Sequence, residues 1–331
     1  MPWVSWEGEG FRRALPSQSV YEGLRAQERA PTEFPFVLCD LLPFYAQPMG
    51  KNSSIEWTDH TFNPWWGCAK VSPACTNCYA EAWSRRVGAD IWGAGASRRF
   101  FGTKHWQEPL KWNEDAKREG RHKRVFCASM ADVFEERPDL HATRRKLWQW
   151  IHLTPWLDWL LLTKRPENVG LMVPWKDKWP TNVWLGTSVE NQEWVKQRLP
   201  LLLTYPAQCR FLSCEPLLGS LDLRAWIESR PAKLYPINWV IAGGESGPGA
   251  RPMLPGWARN VRDQCQAAGI PFHFKQWGHW APVSAPKREG PLVRKFWDEV
   301  AGMEIFMAAK GKKIAGRRLD GMTWDQLPVT A

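Results

Sequence analysis

Two stretches of the sequence decide the predicted fold: residues 157–168, LDWLLLTKRPEN, and residues 182–191, NVWLGTSVEN. Each begins as a largely apolar run and ends in a polar segment, and residues of helical composition follow the second stretch. A continuous apolar run of this length is typical of a strand that is buried on both faces, as in a parallel sheet.

The same pattern recurs along most of the chain. Further apolar runs lie at residues 62–68, 124–130, 210–214, 239–243 and 271–275, and stretches of helical composition lie at residues 79–87, 140–152, 190–203 and 256–268. Strands that alternate with helices indicate parallel strands joined by right-handed crossovers. We therefore predict an α/β protein with a full or partial parallel (β/α) barrel. An open doubly wound sheet is the alternative that the pattern does not separate from it.

The two ends of the chain are less regular than its centre. Residues 1–48 have no sustained period, and Met49 resembles the start of the folded part, so we expect residues 1–48 to be a poorly ordered extension. We assign residues 49–278 to the barrel and residues 279–331 to an appendage. Within the appendage, residues 303–309 and 314–319 predict a β-hairpin with Gly311 at the turn.

Charged side chains follow the predicted strands, and in a parallel barrel all of these strand ends meet at one face, where active sites are built. Turns attract polar residues in general, but glutamates after three strands together with Lys164, Arg165 and Lys275 favour a site. The candidate catalytic residues are Asp132, Lys164, Glu190, Glu215, Glu245 and Lys275.

Three cysteines lie within eleven residues of one another. The segment 63–81, NPWWGCAKVSPACTNCYAE, places Cys68, Cys75 and Cys78 at the spacing C-x6-C-x2-C. Thiolates select zinc or iron–sulfur clusters, and a structural zinc ion normally has four protein ligands. Three thiolates on a [4Fe–4S] cluster leave one iron open, as S-adenosylmethionine chemistry requires. We expect the three sulfur atoms to lie close together, with Cys78 at the start of a helix whose amides stabilise an anionic centre.

From Ser54 onward the chain resembles a phage-associated family of unknown function that is marked by three cysteines and related to the radical S-adenosylmethionine superfamily. The segments that carry the resemblance are IEWT (55–58), NP (63–64), GC (67–68), CTNCYA (75–80), LTKRP (162–166), GTSVEN (186–191), SCEP (213–216), GGESG (243–247) and FKQWG (274–278). The resemblance implies a partial barrel of radical S-adenosylmethionine type and cluster binding by Cys68, Cys75 and Cys78.

Two features depart from the broader superfamily. Its usual cysteine spacing is C-x3-C-x2-C with an aromatic residue before the third cysteine, whereas Asn77 occupies that place here. Its Gly-Gly-Glu motif follows the second strand, whereas the same letters at residues 243–245 come several strands later. Asp132 is a substitute for that glutamate, and the strand-end residues Ser129, Thr187 and Ser188 are further candidates for contacts with S-adenosylmethionine.

The chain is basic, with 44 Lys and Arg against 34 Asp and Glu and a formal net charge of +10. This charge attracts polyanions. We therefore expect a cytoplasmic radical enzyme that acts on a nucleic-acid base or a nucleotide and takes electrons from a separate donor. The alternative is a non-enzymatic nucleic-acid-binding protein with structural zinc, in which His60 is the fourth ligand. No apolar run is long enough to span a membrane.

Overall fold

The computed structural model describes residues 50–51, 53, 55–228, 231–285 and 292–329. The predicted extension, residues 1–48, lies outside the described residues. The strands are β1 Gly50–Lys51, β2 His60–Thr61, β3 Trp65–Trp66, β4 Arg99–Phe100, β5 Lys123–Cys127, β6 Leu157–Thr163, β7 Val183–Ser188, β8 Cys209–Cys214, β9 Trp239–Gly243, β10 Phe272–Gln276, β11 Trp280–Val283, β12 Val293–Asp298 and β13 Met303–Ala309. The helices are α1 Tyr79–Arg86, α2 Thr103–Glu119, α3 His141–Leu153, α4 Val169–Met172, α5 Gln192–Leu202, α6 Arg224–Ile227, α7 Pro255–Ala267 and α8 Lys312–Ala315.

The principal sheet has the strand order β1-β2-β5-β6-β7-β8-β9-β10, and all neighbours from β2 to β10 pair in parallel. The order never reverses, whereas a doubly wound sheet reverses at a switch point. Successive right-handed crossovers in one direction place the helices on one face, so the sheet curls toward the other face. The fold is therefore an α/β partial barrel, as predicted.

The two faces of the curled sheet carry different cores. The face that packs against the helices carries a large mixed cluster of aliphatic and aromatic residues, among them Val125, Leu161 and Trp159. The concave face holds a separate aromatic cluster with Trp57, Phe126, Trp184, Phe211 and Trp239. Because side chains alternate along a strand, residues one or two repeats further toward the carboxyl ends also face the concave side. The aromatic cluster thus forms the floor of a mouth at the carboxyl ends of the strands.

The predicted central strands match the observed ones closely, but the first predicted strand, residues 62–68, is wrong. The strand that pairs with β5 is His60–Thr61, and Trp65–Trp66 pairs instead with β4. Pro64 has no backbone N–H to donate to a ladder. The Asn63 side chain supplies a hydrogen bond to the neighbouring segment in place of the ladder, because its Oδ1 accepts from the Met130 N–H at 2.7 Å.

The predicted C-terminal hairpin has one strand right and the other wrong. Met303–Ala309 is a strand, but its antiparallel neighbours are β11 and β12. Residues 314–319 do not form the predicted second strand, because α8 covers Lys312–Ala315 and Gly316 follows with a φ of +73°. The described residues belong to one compact unit, Ala46–Ala331. None of the described helices combines the length and the apolar character that crossing a membrane requires.

Candidate functional site

The loop that carries the three cysteines, residues 67–78, runs from β3 to α1 and is called the cysteine loop below. Gly67 opens it with a φ of +112°, and a Cβ there would lie 2.3 Å from the Ile91 carbonyl oxygen. Its N–H donates to the Met130 carbonyl at 2.9 Å. Only glycine fits this conformation and space, so Gly67 fixes the point at which Cys68 leaves the sheet.

Cys68 is tied to the end of β6 by Arg165. The guanidinium Nη1 lies 3.7 Å from the Cys68 Sγ and 2.9 Å from Asp132 Oδ2, while Nη2 donates to the Ala69 carbonyl at 2.8 Å. Burial raises the pKa of the Cys68 thiol to about 12, Asp132 adds to the rise and Arg165 opposes it. Without a bound centre the thiol is therefore protonated at neutral pH, and a ligated metal must displace that proton.

Asp132, the predicted substitute for a cofactor-binding glutamate, has a carboxylate that is fully engaged. Its Oδ1 accepts from the Thr163 hydroxyl at 2.8 Å and the Phe134 N–H at 3.0 Å, and its Oδ2 accepts from the Lys164 N–H at 3.0 Å as well as from Arg165. A carboxylate offers about four acceptor positions, so this arrangement uses Asp132 to position Arg165.

A second tie holds the cysteine loop to the segment after β7. Glu190 is fully buried and pairs with Arg198, with Oε2 and Nη1 3.0 Å apart. Its Oε1 accepts from the backbone N–H of Ala74, the neighbour of Cys75, at 3.2 Å. The negative charge of Glu190 thus has a cation on one side and the cysteine loop on the other.

A third tie comes from the segment after β9. The Asn77 side chain donates to Glu245 Oε2 at 2.9 Å and to the Gly249 carbonyl at 2.8 Å. Arg251 pairs with Glu245 and donates to the Pro73 carbonyl at 2.9 Å. Burial opposes ionisation of Glu245, but the donors on Arg251 and Asn77 lower the pKa of its carboxyl below the ordinary value. Glu245 is therefore an anionic anchor for the cysteine loop.

The other charged candidates face the concave mouth. Lys164 Nζ donates to the Ser188 hydroxyl at 3.0 Å, and Lys275 Nζ lies 3.2 Å from Glu215 Oε1. Glu215 lies across the backbone of β9, since a Cβ on Gly243 would come within 2.5 Å of Oε1. These side chains present two ammonium groups and one carboxylate above the aromatic floor.

The six predicted catalytic residues thus fall into two sets of three. Asp132, Glu190 and Glu245 hold the cysteine loop, while Lys164, Glu215 and Lys275 line the mouth. Of the predicted cofactor contacts, Ser188 accepts from Lys164, the Ser129 carbonyl accepts from the Tyr79 hydroxyl, and the buried Thr187 hydroxyl donates to the Thr163 carbonyl. Their roles in cofactor binding and catalysis stay predictions.

Of the three arginines that tie the loop, the sequence points to Arg165 but not to Arg198 or Arg251. Arg165 was visible as a charge after a strand, but Arg198 lies inside α5 and carries no local signal. In the sequence, Tyr79 stands out only as the neighbour of Cys78. Its position directly after a ligand candidate was the one available signal.

The donor set of the cysteine loop consists of three thiols, the donor type that binds zinc or an iron–sulfur cluster. Cys68, Cys75 and Cys78 are unpaired thiols that are partly accessible, and burial raises the pKa of Cys78 while Lys164 and the amides of Ala80 and Glu81 lower it. Among the described residues, no three His, Cys, Asp or Glu side chains are grouped to hold a single metal ion. The expected close approach of the three sulfurs is therefore not found at single-ion spacing.

The zinc alternative required a fourth ligand, and His60 does not supply it. His60 lies in β2, is buried, and stacks on Trp112 with 4.5 Å between the ring centroids. It is not grouped with the cysteines around one ion position. Its surroundings are those of a core residue.

Comparison with known proteins adds a family and a resemblance in fold. A family model described as protein of unknown function (DUF5131) matches residues 52–328. No protein of curated function shows a significant match to the sequence. Two solved structures of spore photoproduct lyase are similar in fold. One is a double mutant with bound AdoMet and dinucleoside spore photoproduct, at 12% identity, and the other is complexed with dinucleoside spore photoproduct, at 10% identity. Each of the two alignments has a TM-score of 0.40. Each covers 76% of this chain and 68% of the spore photoproduct lyase chain.

Proposed function

We infer, for a chain that belongs to the family of proteins of unknown function DUF5131, that Cys68, Cys75 and Cys78 hold a [4Fe–4S] cluster and that the protein is a radical S-adenosylmethionine enzyme. One observation carries the proposal. Three unpaired thiols lie on a single loop that charged residues from the ends of β6, β7 and β9 hold beside a polar mouth.

The chemistry of the donor set supports this choice. Three thiolates leave one iron without a protein ligand. When bound, such a cluster supplies the electron that cleaves S-adenosylmethionine to a 5′-deoxyadenosyl radical, which abstracts a hydrogen atom from the substrate. The cationic groups of Arg165 and Lys164 lie near Cys68 and Cys78 and offset the negative charge of a thiolate-bound centre.

The mouth residues have a different task from the loop residues. The Lys275–Glu215 pair and the Lys164–Ser188 hydrogen bond present donors and acceptors that orient a substrate in the mouth. The aromatic cluster beneath them closes the concave side and excludes water from below. Ser129, Thr187 and Ser188 lie at the strand ends where S-adenosylmethionine contacts are proposed.

The substrate we propose is a nucleic-acid base or a nucleotide, because the chain carries a net charge of +10. A phage or prophage origin, a cytoplasmic location and a separate electron donor complete the proposal.

The test is cleavage of S-adenosylmethionine. Anaerobically reconstituted full-length protein with a chemical reductant should release 5′-deoxyadenosine, and Cys75→Ala should abolish the release. Cys265→Ala, which alters a buried thiol on α7, should retain it. A cluster-loaded protein that releases no 5′-deoxyadenosine would refute the proposed activity.

A further inference from the structure

Tyr79 presents an accessible aromatic ring at the mouth. Its side chain is 57% exposed, yet its hydroxyl donates to the Ser129 carbonyl at the end of β5, at 2.9 Å. Glu215 lies near the phenol. A ring that is exposed to solvent and anchored by its hydroxyl is suited to stacking.

Lys312 reaches the same mouth from the C-terminal segment. The N–H groups of Lys310 and Gly311 both donate to the His279 carbonyl, at 2.9 Å and 3.0 Å, and the Trp277 N–H donates to the Gly316 carbonyl at 3.0 Å. These bonds seat α8 on the turn that follows β10.

The charged groups near Lys312 are those of the mouth. Its side chain is accessible, but desolvation lowers its pKa, the nearby Lys275 lowers it further, and Glu56 and Glu215 act in the opposite direction. Lys312 is therefore part of the mouth and not an isolated charge on the outer surface.

The cations of the mouth outnumber its carboxylates. Lys164, Lys275 and Lys312 face Glu215 and, near Lys312, Glu56. Within the part of the chain that the structure describes, Lys275 has a carboxylate at ion-pair distance, while Lys164 and Lys312 have none. Three lysines against two carboxylates leave a net positive charge in the mouth, and this charge attracts an anionic ligand.

We propose that the mouth binds a nucleotide unit, with its base stacked on Tyr79 and its phosphate held by Lys275 and Lys312. The aromatic half of this site, Tyr79, and its cationic half, Lys275 and Lys312, both lie close to Glu215. An aromatic platform and a pair of cations within one mouth match the two chemical parts of a nucleotide. The inference rests on the proposed function in placing the reaction in this mouth, and it names the residues that hold the proposed nucleotide.

Equilibrium dialysis of full-length protein, with and without reconstituted cluster, tests the site. The probes are thymidine 5′-monophosphate, deoxyadenosine 5′-monophosphate, the matching nucleosides, ribose 5-phosphate and a short single-stranded oligothymidylate. Nucleotides should bind more tightly than either nucleosides or ribose 5-phosphate. Tighter binding of the oligothymidylate than of the mononucleotides assigns the nucleotide to a strand, and the reverse assigns a free nucleotide; both support the inference.

Variants separate the two halves of the site. Tyr79→Ala should weaken nucleotide binding about tenfold, and Tyr79→Phe should retain it because the ring remains. Lys312→Ala should weaken nucleotide binding and flatten its salt dependence but leave nucleoside binding unchanged, whereas the neighbouring Lys313→Ala should behave as wild type. The side chains of Tyr79, Lys312 and Lys313 are all accessible. The melting temperatures of these variants should therefore stay near that of the wild type.

Three outcomes would overturn the inference. They are equal binding of nucleotides by wild type and Tyr79→Ala, equal binding by Lys312→Ala and Lys313→Ala, and displacement of the base by S-adenosylmethionine, which would assign Tyr79 to the cofactor. Cluster content is measured separately on each sample. Nucleotide binding without cluster formation would refute the proposed function alone, and cluster formation without nucleotide binding would refute this inference alone.

Discussion

The guanidinium of Arg165 lies 3.7 Å from the sulfur of Cys68, so a residue that follows β6 contacts the first cysteine of the loop. Replacing a group that supports a metal ligand typically lowers metal affinity by about 10–100-fold. We expect Arg165→Gln to lose iron to a chelator at least about tenfold faster than the wild type, as followed by visible absorbance under anaerobic conditions. Arg118→Gln, on the exposed side of α2, is the control, and equal iron loss from Arg165→Gln and Arg118→Gln would remove Arg165 from the site.

The buried ion pair between Glu190 and Arg198 gives a stability prediction. Both side chains are almost fully buried, and removing one partner of such a pair costs about 3–5 kcal/mol because the other charge is left uncompensated. Glu190→Gln should therefore lower the free energy of unfolding in urea by about 3 kcal/mol. Glu193→Gln on the exposed side of α5 should change it by less than about 0.5 kcal/mol. A Glu190→Gln value as small as that of the control would contradict the account.

Gly186 tests the packing of the concave floor. A Cβ at this position would lie 2.4 Å from the Phe211 ring, and overpacking of a core costs about 1–3 kcal/mol. We expect Gly186→Ala to lower the free energy of unfolding near the upper end of that range. Phe211→Leu in the same chain should recover part of the loss, and the double-mutant cycle measures the recovery. Gly95→Ala, with open space around its Cβ, is the control. Strict additivity of the two substitutions would show that the ring and the glycine are not coupled.

His273 makes stability depend on pH. Burial is the main cause that lowers its pKa from 6.5 to about 4, and Arg317 adds to the effect while Asp325 opposes it. The unfolded state therefore binds more protons between these values, so the stabilisation is present above pH 6.5 and is lost as pH falls through 4. The loss is about 3 kcal/mol, since each pKa unit corresponds to about 1.4 kcal/mol.

Urea unfolding from pH 7 to pH 4 measures this loss. His273→Gln removes the titrating group, so its free energy of unfolding should change less over that pH range than that of the wild type. His152, on the exposed side of α3, gives the control His152→Gln, which should keep the wild-type slope. Identical slopes for wild type and His273→Gln would exclude His273 as the source.

The strands were predictable because their signal is local. The run at 157–163 is apolar except for Asp158 and Thr163, and it ends at Thr163, where β6 ends. The first strand was misplaced because Pro64 interrupts an apolar segment, and α2 was missed because it contains Pro109 and buries tryptophan, histidine and asparagine in place of an aliphatic stripe.

The site was predictable only in part. The cysteine spacing and the charged strand ends are local patterns, so the residues of the mouth could be named. The ties across it could not be, because Asn77 and Glu245 are 168 residues apart, and Arg251 and Pro73 are 178 residues apart. No local pattern in one segment specifies such a distant partner.

The central claim is tested most directly by iron and acid-labile sulfide in anaerobically purified and reconstituted protein. The account predicts about four iron and four sulfide per chain, a loss of both in Cys68→Ser, Cys75→Ser and Cys78→Ser, and wild-type content in Cys265→Ala. Protein that takes up neither element, or that keeps its full content when these three thiols are replaced, would contradict it.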